Sequence, residues 1–199
     1  MKFVMYYLKS ALGEAWARWF GDADSVQIVR GDICETSCDA IVSPANSFGF
    51  MDGGLDWQLS EKFGWDLQAE VQQAIRARPL KELLVGEAII VSTGSREIPW
   101  LISAPTMRVP MNIKATVNAY LAMKAILAAV AAHGDVPPIR SVAIPGLGTG
   151  VGGLEPESCA SQMYQAYKEI IIGDFQYPAD FSEAQYRHRA LNRLGTLSD

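Results

Sequence analysis

Residues 43–56 read SPANSFGFMDGGLD, and the rest of the chain is arranged around this stretch. It follows an apolar run at 39–42 that predicts a strand, and it precedes an amphipathic stretch from Trp57 that predicts a helix. Glycines let the backbone approach a ligand closely, and a helix N-terminus presents unpaired N–H groups. No Lys or Arg lies within the loop. The stretch therefore predicts a site that holds an anion with backbone amides.

The composition is ordinary for a soluble globular protein, with 199 residues, of which 49% are hydrophobic and 20% charged. A chain of this length fits one domain, so residues 1–199 are expected to form a single domain. The formal net charge of −5 argues against a general nucleic-acid binder, because affinity for that polyanion comes mostly from Lys and Arg contacts to phosphates.

The three cysteines, Cys34, Cys38 and Cys159, are an odd number without the spacing of a disulfide framework, which favours a reducing compartment. The chain has only two histidines, and none joins the Cys34/Cys38 pair in sequence, so no metal site is expected. No apolar run approaches the length of about 18 residues that spans a membrane, and the N-terminus lacks the pattern of a signal peptide. We therefore expect a cytoplasmic protein that does not enter a membrane.

Strand and helix patterns alternate along the chain. Strands are predicted at 2–8, 26–30, 40–43, 87–93, 100–104 and 140–145, and helices at 10–20, 57–75 with an interruption at Gly64, 116–132, 157–172 and 180–194. This alternation predicts an α/β domain with helices on both faces of the sheet. Ligands of such sheets bind beyond the carboxyl ends of the strands. Gly31 and Asp32, the loop at 43–56 and a second glycine-rich loop at 146–153 all follow predicted strands, which predicts one shared site.

The second loop, GLGTGVGG, contains the pattern G-x-G-x-x-G at Gly148, Gly150 and Gly153. A dinucleotide-binding fold is rejected, because the pattern lies late in the chain, Pro156 delays the helix, and the acidic residue expected about 20 positions later is missing. The glycines of one such loop are equally well explained by tight turns. Two such loops, each at the end of a strand, favour a ligand site.

Four segments resemble the macro domain family, which is known for binding ADP-ribose: VRGDI at 29–33, DAIVSPAN at 39–46, GGLD at 53–56 and IPGLGTGV at 144–151. The resemblance covers about residues 26–172 in the same order and leaves 173–199 as a C-terminal extension. It implies a three-layer α/β/α macro-domain fold with a central mixed, largely parallel sheet. It also implies ADP-ribose, or a protein or small molecule that carries it, as the binding partner, and no cofactor.

The resemblance assigns roles along an extended ligand. Asp32 would accept a hydrogen bond from the adenine amine beside the Ile33 N–H, the two glycine loops would clamp the pyrophosphate, and Asn46 would bind the distal ribose. The ligand-binding residues implied are Asp32, Ile33, Ala45, Asn46, Gly53, Gly54, Leu55, Asp56, Pro145, Gly146, Leu147, Gly148, Thr149, Gly150, Val151 and Gly152.

The spacing of Asn46 and Asp56 resembles the hydrolase branch of the family, where both positions are needed for activity. Asp56 falls at a predicted helix start, so we expect the helix dipole to keep it ionised and suited to orienting water. The implied activity is hydrolysis of ADP-ribose derivatives at the distal ribose, on a mono-ADP-ribosyl ester of a protein or on O-acetyl-ADP-ribose. A non-catalytic reader and an ADP-ribose 1''-phosphate phosphatase are the alternatives.

Some positions depart from the family pattern. Asp52 adds a negative charge beside the expected diphosphate. Gly152 stands where an aromatic residue often packs against the distal ribose, and Phe48 or Phe50 is a candidate replacement. For the aromatic residue that stacks on adenine, Phe175 and Tyr177 are candidates, although a place in the core is favoured for both.

Overall fold

The computed structural model describes residues 1–134 and 136–193. The strands are β1 Lys2–Tyr7, β2 Val26–Arg30, β3 Ala40–Ser43, β4 Ile89–Ser92, β5 Trp100–Ser103 and β6 Ser141–Ile144. The helices are α1 Ser10–Phe20, α2 Gly54–Phe63, α3 Asp66–Ala77, α4 Asn118–Ala132, α5 Pro156–Tyr167 and α6 Phe181–Arg193. A 3₁₀ turn at Ile33–Glu35 and a π-helical turn at Lys168–Ile172 complete the regular structure.

The six strands form one sheet in the order β2-β1-β6-β3-β5-β4. Every neighbouring pair is parallel except β4 and β5, which are antiparallel. The predicted α/β class with a mixed, largely parallel sheet is therefore confirmed. Parallel strands share one carboxyl edge, so the segments that follow β2, β1, β6, β3 and β5 leave the sheet on the same side.

Helices cover both faces of the sheet, as expected for parallel strands buried on both sides. On one face α1, α4 and α5 pack with Ala40 and Val42 of β3, and on the other α2 and α3 pack with Ile41. All four residues of β3 are buried. The result is a three-layer α/β/α arrangement with β3 between its two cores.

The structure divides the helix predicted after the first loop into α2 and α3 at Gly64. Gly64 has φ +94°, a conformation open to glycine and strained for other residues, so it ends α2 and allows the chain to turn. The helix predicted at 157–172 also changes near its end, because residues Lys168–Ile172 form the π-helical turn. The last predicted helix is present as α6, and its predicted end at Leu194 lies outside the described residues.

None of the helices within residues 1–134 and 136–193 has the length and apolarity needed to cross a bilayer.

Candidate ligand-binding cleft

A cleft of about 600 Å³ opens at the carboxyl edge of the sheet. This volume falls in the range of small-molecule sites, roughly 300–1,000 Å³. Its walls come from the segments that follow β2, β1, β6, β3 and β5, in that spatial order. Because five neighbouring strands are separated by four spacings of about 4.8 Å, the cleft extends roughly 19 Å from the end of β2 to the end of β5. It therefore suits an extended ligand whose successive parts meet successive strand ends.

The structure brings the predicted site residues together, with one exception. Those that line the cleft are Asp32, Ile33, Ala45, Asn46, Gly53, Gly54, Leu55, Asp56, Pro145, Gly146, Gly148, Thr149, Gly150, Val151 and Gly152. Leu147 does not, because its side chain is fully buried in the core shared by α1, α4 and α5. An apolar residue between two loop glycines turns inward and anchors the loop, so a ligand contact of Leu147 stays a prediction that its backbone alone could meet.

The Asn46 side chain holds the first loop in shape. Its Oδ1 accepts hydrogen bonds from the amides of Phe48 and Phe50, at 3.1 and 3.3 Å, and its amide nitrogen donates to the Phe50 carbonyl at 2.8 Å. A carboxamide has two N–H donors, so one remains for a ligand. Asn46 therefore has a structural task that the sequence did not predict, in addition to any contact with a ribose.

The first loop ends in the N-terminus of α2, which points at the cleft. Gly53 is the N-cap residue, and no side chain caps the helix. The amides of Gly54, Leu55 and Asp56 occupy its first turn, where an α-helix has no internal acceptor for them. These donors, together with the positive end of the helix dipole, are suited to binding an anion.

The second loop is shaped by close packing against Ile113. A Cβ at Gly148 or Gly152 would come within 2.6 or 2.7 Å of this side chain, and Gly148 also has φ +76°. Gly150 differs, because a Cβ there would meet nothing within 4 Å. Within the described residues, the amides of Gly150 and Val151 donate no hydrogen bond to the protein. The loop thus presents free donors to the cleft opposite α2.

Asp56 lies almost fully buried at the floor of the cleft, with 7% of its surface exposed. The Ser43 hydroxyl donates a hydrogen bond to its Oδ1 at 2.6 Å. Burial raises the pKa of Asp56 to about 6, and the hydrogen bond from Ser43 opposes this rise only in part. The carboxyl is therefore still mostly ionised at neutral pH, while desolvation raises its pKa, an effect that its place at the helix start did not predict.

The variant Asp56→Asn should be more stable than the wild type at alkaline pH, by up to about 3 kcal/mol in the free energy of unfolding. The pKa of Asp56 is raised from 3.8 to about 6 on folding. The folded state therefore prefers the proton, and this contribution to stability is full below pH ~4 and lost as the pH rises through ~6. Urea unfolding at about pH 4, 6 and 8 measures the difference. A difference that does not grow with pH would contradict the buried, proton-preferring carboxyl.

Asp32 sits at the β2 end of the cleft as an exposed N-cap of the 3₁₀ turn. Its Oδ1 accepts a hydrogen bond from the Cys34 amide at 2.9 Å. The carboxylate also raises the pKa of the Cys34 thiol, which burial and Asp32 together bring to about 11. Cys34 is thus a thiol rather than a thiolate at neutral pH.

Within the described residues, no group of three His, Cys, Asp or Glu side chains could hold a metal ion.

Sequence reasoning missed two parts of the wall. Tyr6, Tyr7 and Lys9 line the cleft where β1 ends, and Thr106 and Met107 line it where β5 ends. The signal for both was present, because each segment follows a predicted strand. Neither carries the glycines that drew attention to the other loops, and only the strand order shows that β1 and β5 flank them.

The aromatic candidates separate clearly in the structure. Phe50 is 54% exposed and lines the cleft, whereas the Phe48 ring packs under the Arg108 guanidinium at 4.9 Å. Phe175 and Tyr177 are 51% and 86% exposed and lie outside the cleft, so the favoured place in the core was wrong for both. Of the four candidates, Phe50 is therefore the one that lines the cleft with Asn46.

A family comparison identifies this arrangement. The model of the macro domain family matches residues 42–163, which include both glycine loops, Asn46 and Asp56. The chain belongs to the macro domain family. The predicted family is therefore confirmed.

The relatives of this macro domain include proteins without an assigned function. An uncharacterised protein of Aquifex aeolicus is 33% identical over 145 residues, which cover 73% of this chain and 82% of the relative. An uncharacterised protein of Aeropyrum pernix is 38% identical over 139 residues, which cover 70% of this chain and 68% of the relative. Among solved structures, a mutant of the Oceanobacillus iheyensis macrodomain with ADPR superposes with a TM-score of 0.58 and 21% identity, covering 81% of this chain and 90% of that one. At this identity the structural match shows the fold.

Proposed function

We propose that this macro domain binds ADP-ribose and hydrolyses ADP-ribose derivatives at the distal ribose. The observation that carries the proposal is the pair of glycine loops that line one cleft and carry amides without protein acceptors, with Asn46 and Asp56 beside them. The Oceanobacillus iheyensis macrodomain mutant was solved with ADPR, which supports ADP-ribose as the ligand of the fold. The length of the cleft suits a ligand with adenine, diphosphate and a second ribose in a row.

In the proposed complex the diphosphate lies between the N-terminus of α2 and the amides of Gly150 and Val151. The adenine end then points toward Asp32 at β2, and the distal ribose toward Asn46 at β3, because the cleft follows the strand order. Amides can bind phosphate without cationic side chains. This arrangement explains why neither loop contains Lys or Arg.

The proposed reaction is ester hydrolysis, in which one water is consumed and ADP-ribose and a free acid are released. Asp56 would orient this water and accept its proton. A carboxyl with a pKa of about 6 is mostly ionised at neutral pH and is more basic than an ordinary aspartate, as a general base requires. The substrate class is a mono-ADP-ribosyl ester of a protein or O-acetyl-ADP-ribose.

The alternative phosphatase activity on ADP-ribose 1''-phosphate is disfavoured by charge. Asp52 and Asp56 both line the end of the cleft where Asn46 lies, and Lys9 is across the sheet at the end of β1. A dianionic phosphate placed between two carboxylates is repelled by both. A neutral ester at the same position avoids this repulsion. Comparing turnover of the ester and the phosphate tests the choice, and faster release of phosphate than of acid would reverse it.

A non-catalytic reader is the second alternative, favoured by the exposed charge of Asp52 beside the diphosphate site. Incubation with O-acetyl-ADP-ribose or a glutamate-linked ADP-ribosyl protein, followed by chromatography of the released ADP-ribose, separates the two. Release above the uncatalysed rate supports the hydrolase. Tight binding without release would establish the reader.

Removing the Asp52 charge should strengthen ADP-ribose binding. Asp52 is exposed and lines the cleft, so Asp52→Asn is expected to lower Kd about three-fold at low salt, with a smaller gain at high salt. Calorimetric titrations at two ionic strengths measure this. Asp22→Asn removes the same charge from an exposed site before β2, away from the cleft, and should leave Kd unchanged. Equal gains in both variants would assign the effect to net charge alone.

A further inference from the structure

We infer that Ser43 is a positioning residue of the hydrolytic site, whose hydroxyl holds the Asp56 carboxylate in the orientation that receives water. This inference rests on the proposed hydrolysis. It concerns a residue that touches Asp56 and acts on the substrate only through it.

The geometry of β3 places the Ser43 hydroxyl beneath α2. Side chains alternate along a strand, so Ser43 shares the face of Ile41, which packs in the core under α2 and α3. Ser43 is the last residue of β3 and is 1% exposed. Its Oγ donates to Asp56 Oδ1 at 2.6 Å, a short bond typical of a hydroxyl donating to a charged carboxylate.

The two carboxylate oxygens of Asp56 have different surroundings. Oδ1 is bound by Ser43. Oδ2 makes no hydrogen bond within the described residues. It is also not one of their solvent-inaccessible polar atoms without a partner, so Oδ2 is accessible from the cleft that Asp56 lines. Ser43 therefore fixes the torsion of the carboxylate by holding one oxygen, and this leaves the other oxygen turned toward the ligand.

Among residues 1–134 and 136–193, no charged side chain acts on the pKa of Asp56 beside the Ser43 hydroxyl. Burial and the Ser43 hydrogen bond are the resolved influences on its pKa. The titratable groups on the neighbouring segments are Asp52 in the preceding loop, Glu61 and Lys62 later on α2, Asp66, Glu70 and Arg76 on α3, and Asp32, Cys34 and Glu35 at the 3₁₀ turn. Without Ser43, desolvation would act on the carboxylate unopposed.

The sheet offers a matched control in Ser103. This residue pairs in register with Ser43 on the adjacent strand β5, so both side chains are on the same face, and both residues are 1% exposed. The Ser103 Oγ has no hydrogen-bond partner within the described residues. Ser43→Ala and Ser103→Ala each remove one buried hydroxyl from the same face of the sheet. Only Ser43→Ala also removes a hydrogen bond to Asp56.

The first measurement is an NMR titration of the Asp56 carboxyl carbon in wild type, Ser43→Ala and Ser103→Ala, with Asp56→Asn to assign the signal. We expect the pKa of Asp56 to rise by about half a unit or more in Ser43→Ala, because the ionised form loses its hydrogen bond. The Ser103→Ala titration should match the wild type. Equal shifts in both alanine variants would overturn the specific role of Ser43.

The second measurement is the pH dependence of ester turnover in the same proteins. Ser43→Ala should lower kcat about ten-fold at neutral pH, with KM nearly unchanged, and should move the acidic limb of the profile to higher pH. Ser43→Thr retains a hydroxyl and should recover most of kcat. Wild-type turnover with an unshifted Ser43→Ala profile would overturn the role of Ser43 alone. A shifted titration with no turnover in any protein, wild type included, would instead refute the proposed hydrolysis and the positioning role that rests on it.

Discussion

Gly150→Glu should weaken ADP-ribose binding at least about 100-fold, equivalent to about 2.7 kcal/mol, relative to a wild type that binds with micromolar or lower Kd. Gly150 lines the cleft, and a Cβ there meets nothing within 4 Å, so the new side chain extends into the space proposed for the diphosphate. It fills that space and places a negative charge beside the phosphates. Calorimetric titration with ADP-ribose, with AMP and NAD as comparison ligands, measures the loss.

The same openness predicts that Gly150→Glu keeps the stability of the wild type, because the substitution neither clashes nor requires a left-handed backbone. Gly134→Glu is the matched control. Gly134 follows α4 outside the cleft, and a Cβ there also meets nothing within 4 Å. The substitution Gly134→Glu therefore adds the same charge at a place that the ligand does not reach. Wild-type affinity in Gly150→Glu would show that the second loop does not hold the diphosphate. The two-loop site would then be wrong.

Asp56→Ala should reduce ester turnover by about 10² to 10⁴-fold while changing the Kd of ADP-ribose only slightly. The carboxylate is proposed to act on water, and the ligand is proposed to be held by amides of α2 and the second loop, which the substitution leaves in place. Burial makes the charge of Asp56 unfavourable to the folded state, so losing the carboxylate does not remove a stabilising charge. Steady-state release of ADP-ribose, together with titration of the same preparations, measures both quantities.

Asp66→Ala is the matched control for this substitution. Asp66 lies in the first turn of α3, as Asp56 does in α2, but it is exposed and does not line the cleft. Its removal should leave turnover and binding unchanged. Full turnover in Asp56→Ala would exclude a role for this carboxyl in the reaction. Loss of binding together with turnover would instead make Asp56 a structural support of α2.

Local patterns predicted the main parts of the fold. The strand before each glycine loop, the interruption at Gly64 and the α/β alternation follow from apolar periodicity and glycine placement, which depend on residues near one another in sequence. The family followed from the same source, because four short segments in a fixed order carry its signature. The ends of helices were predicted less well. The predicted helix at 157–172 includes the π-helical turn after α5, because the apolar pattern of an α-helix does not distinguish it from a π-helical turn.

Contacts between distant segments could not be predicted in this way. The Ser43–Asp56 bond joins two residues named in the sequence, but only the packing of α2 over β3 brings them within 2.6 Å. The same packing buries Asp56 and raises its pKa, an effect that its position at the helix start did not predict. The Asn46 carboxamide likewise forms hydrogen bonds with the backbone of its own loop, and these bonds depend on how the loop folds.

The sequence by itself determined the family, the three-layer fold and the two glycine loops that line the cleft, because these depend on local periodicity and on motifs at strand ends. The tertiary structure alone decided which side chains face one another across the cleft. The strand order β2-β1-β6-β3-β5-β4 brings the ends of β1 and β5 to the site. Packing of the loops against the helices turns Leu147 into the core and leaves Phe50 exposed in the cleft. The physical reason is that burial and charge act through space, and distance in space is set by the order of strands in the sheet.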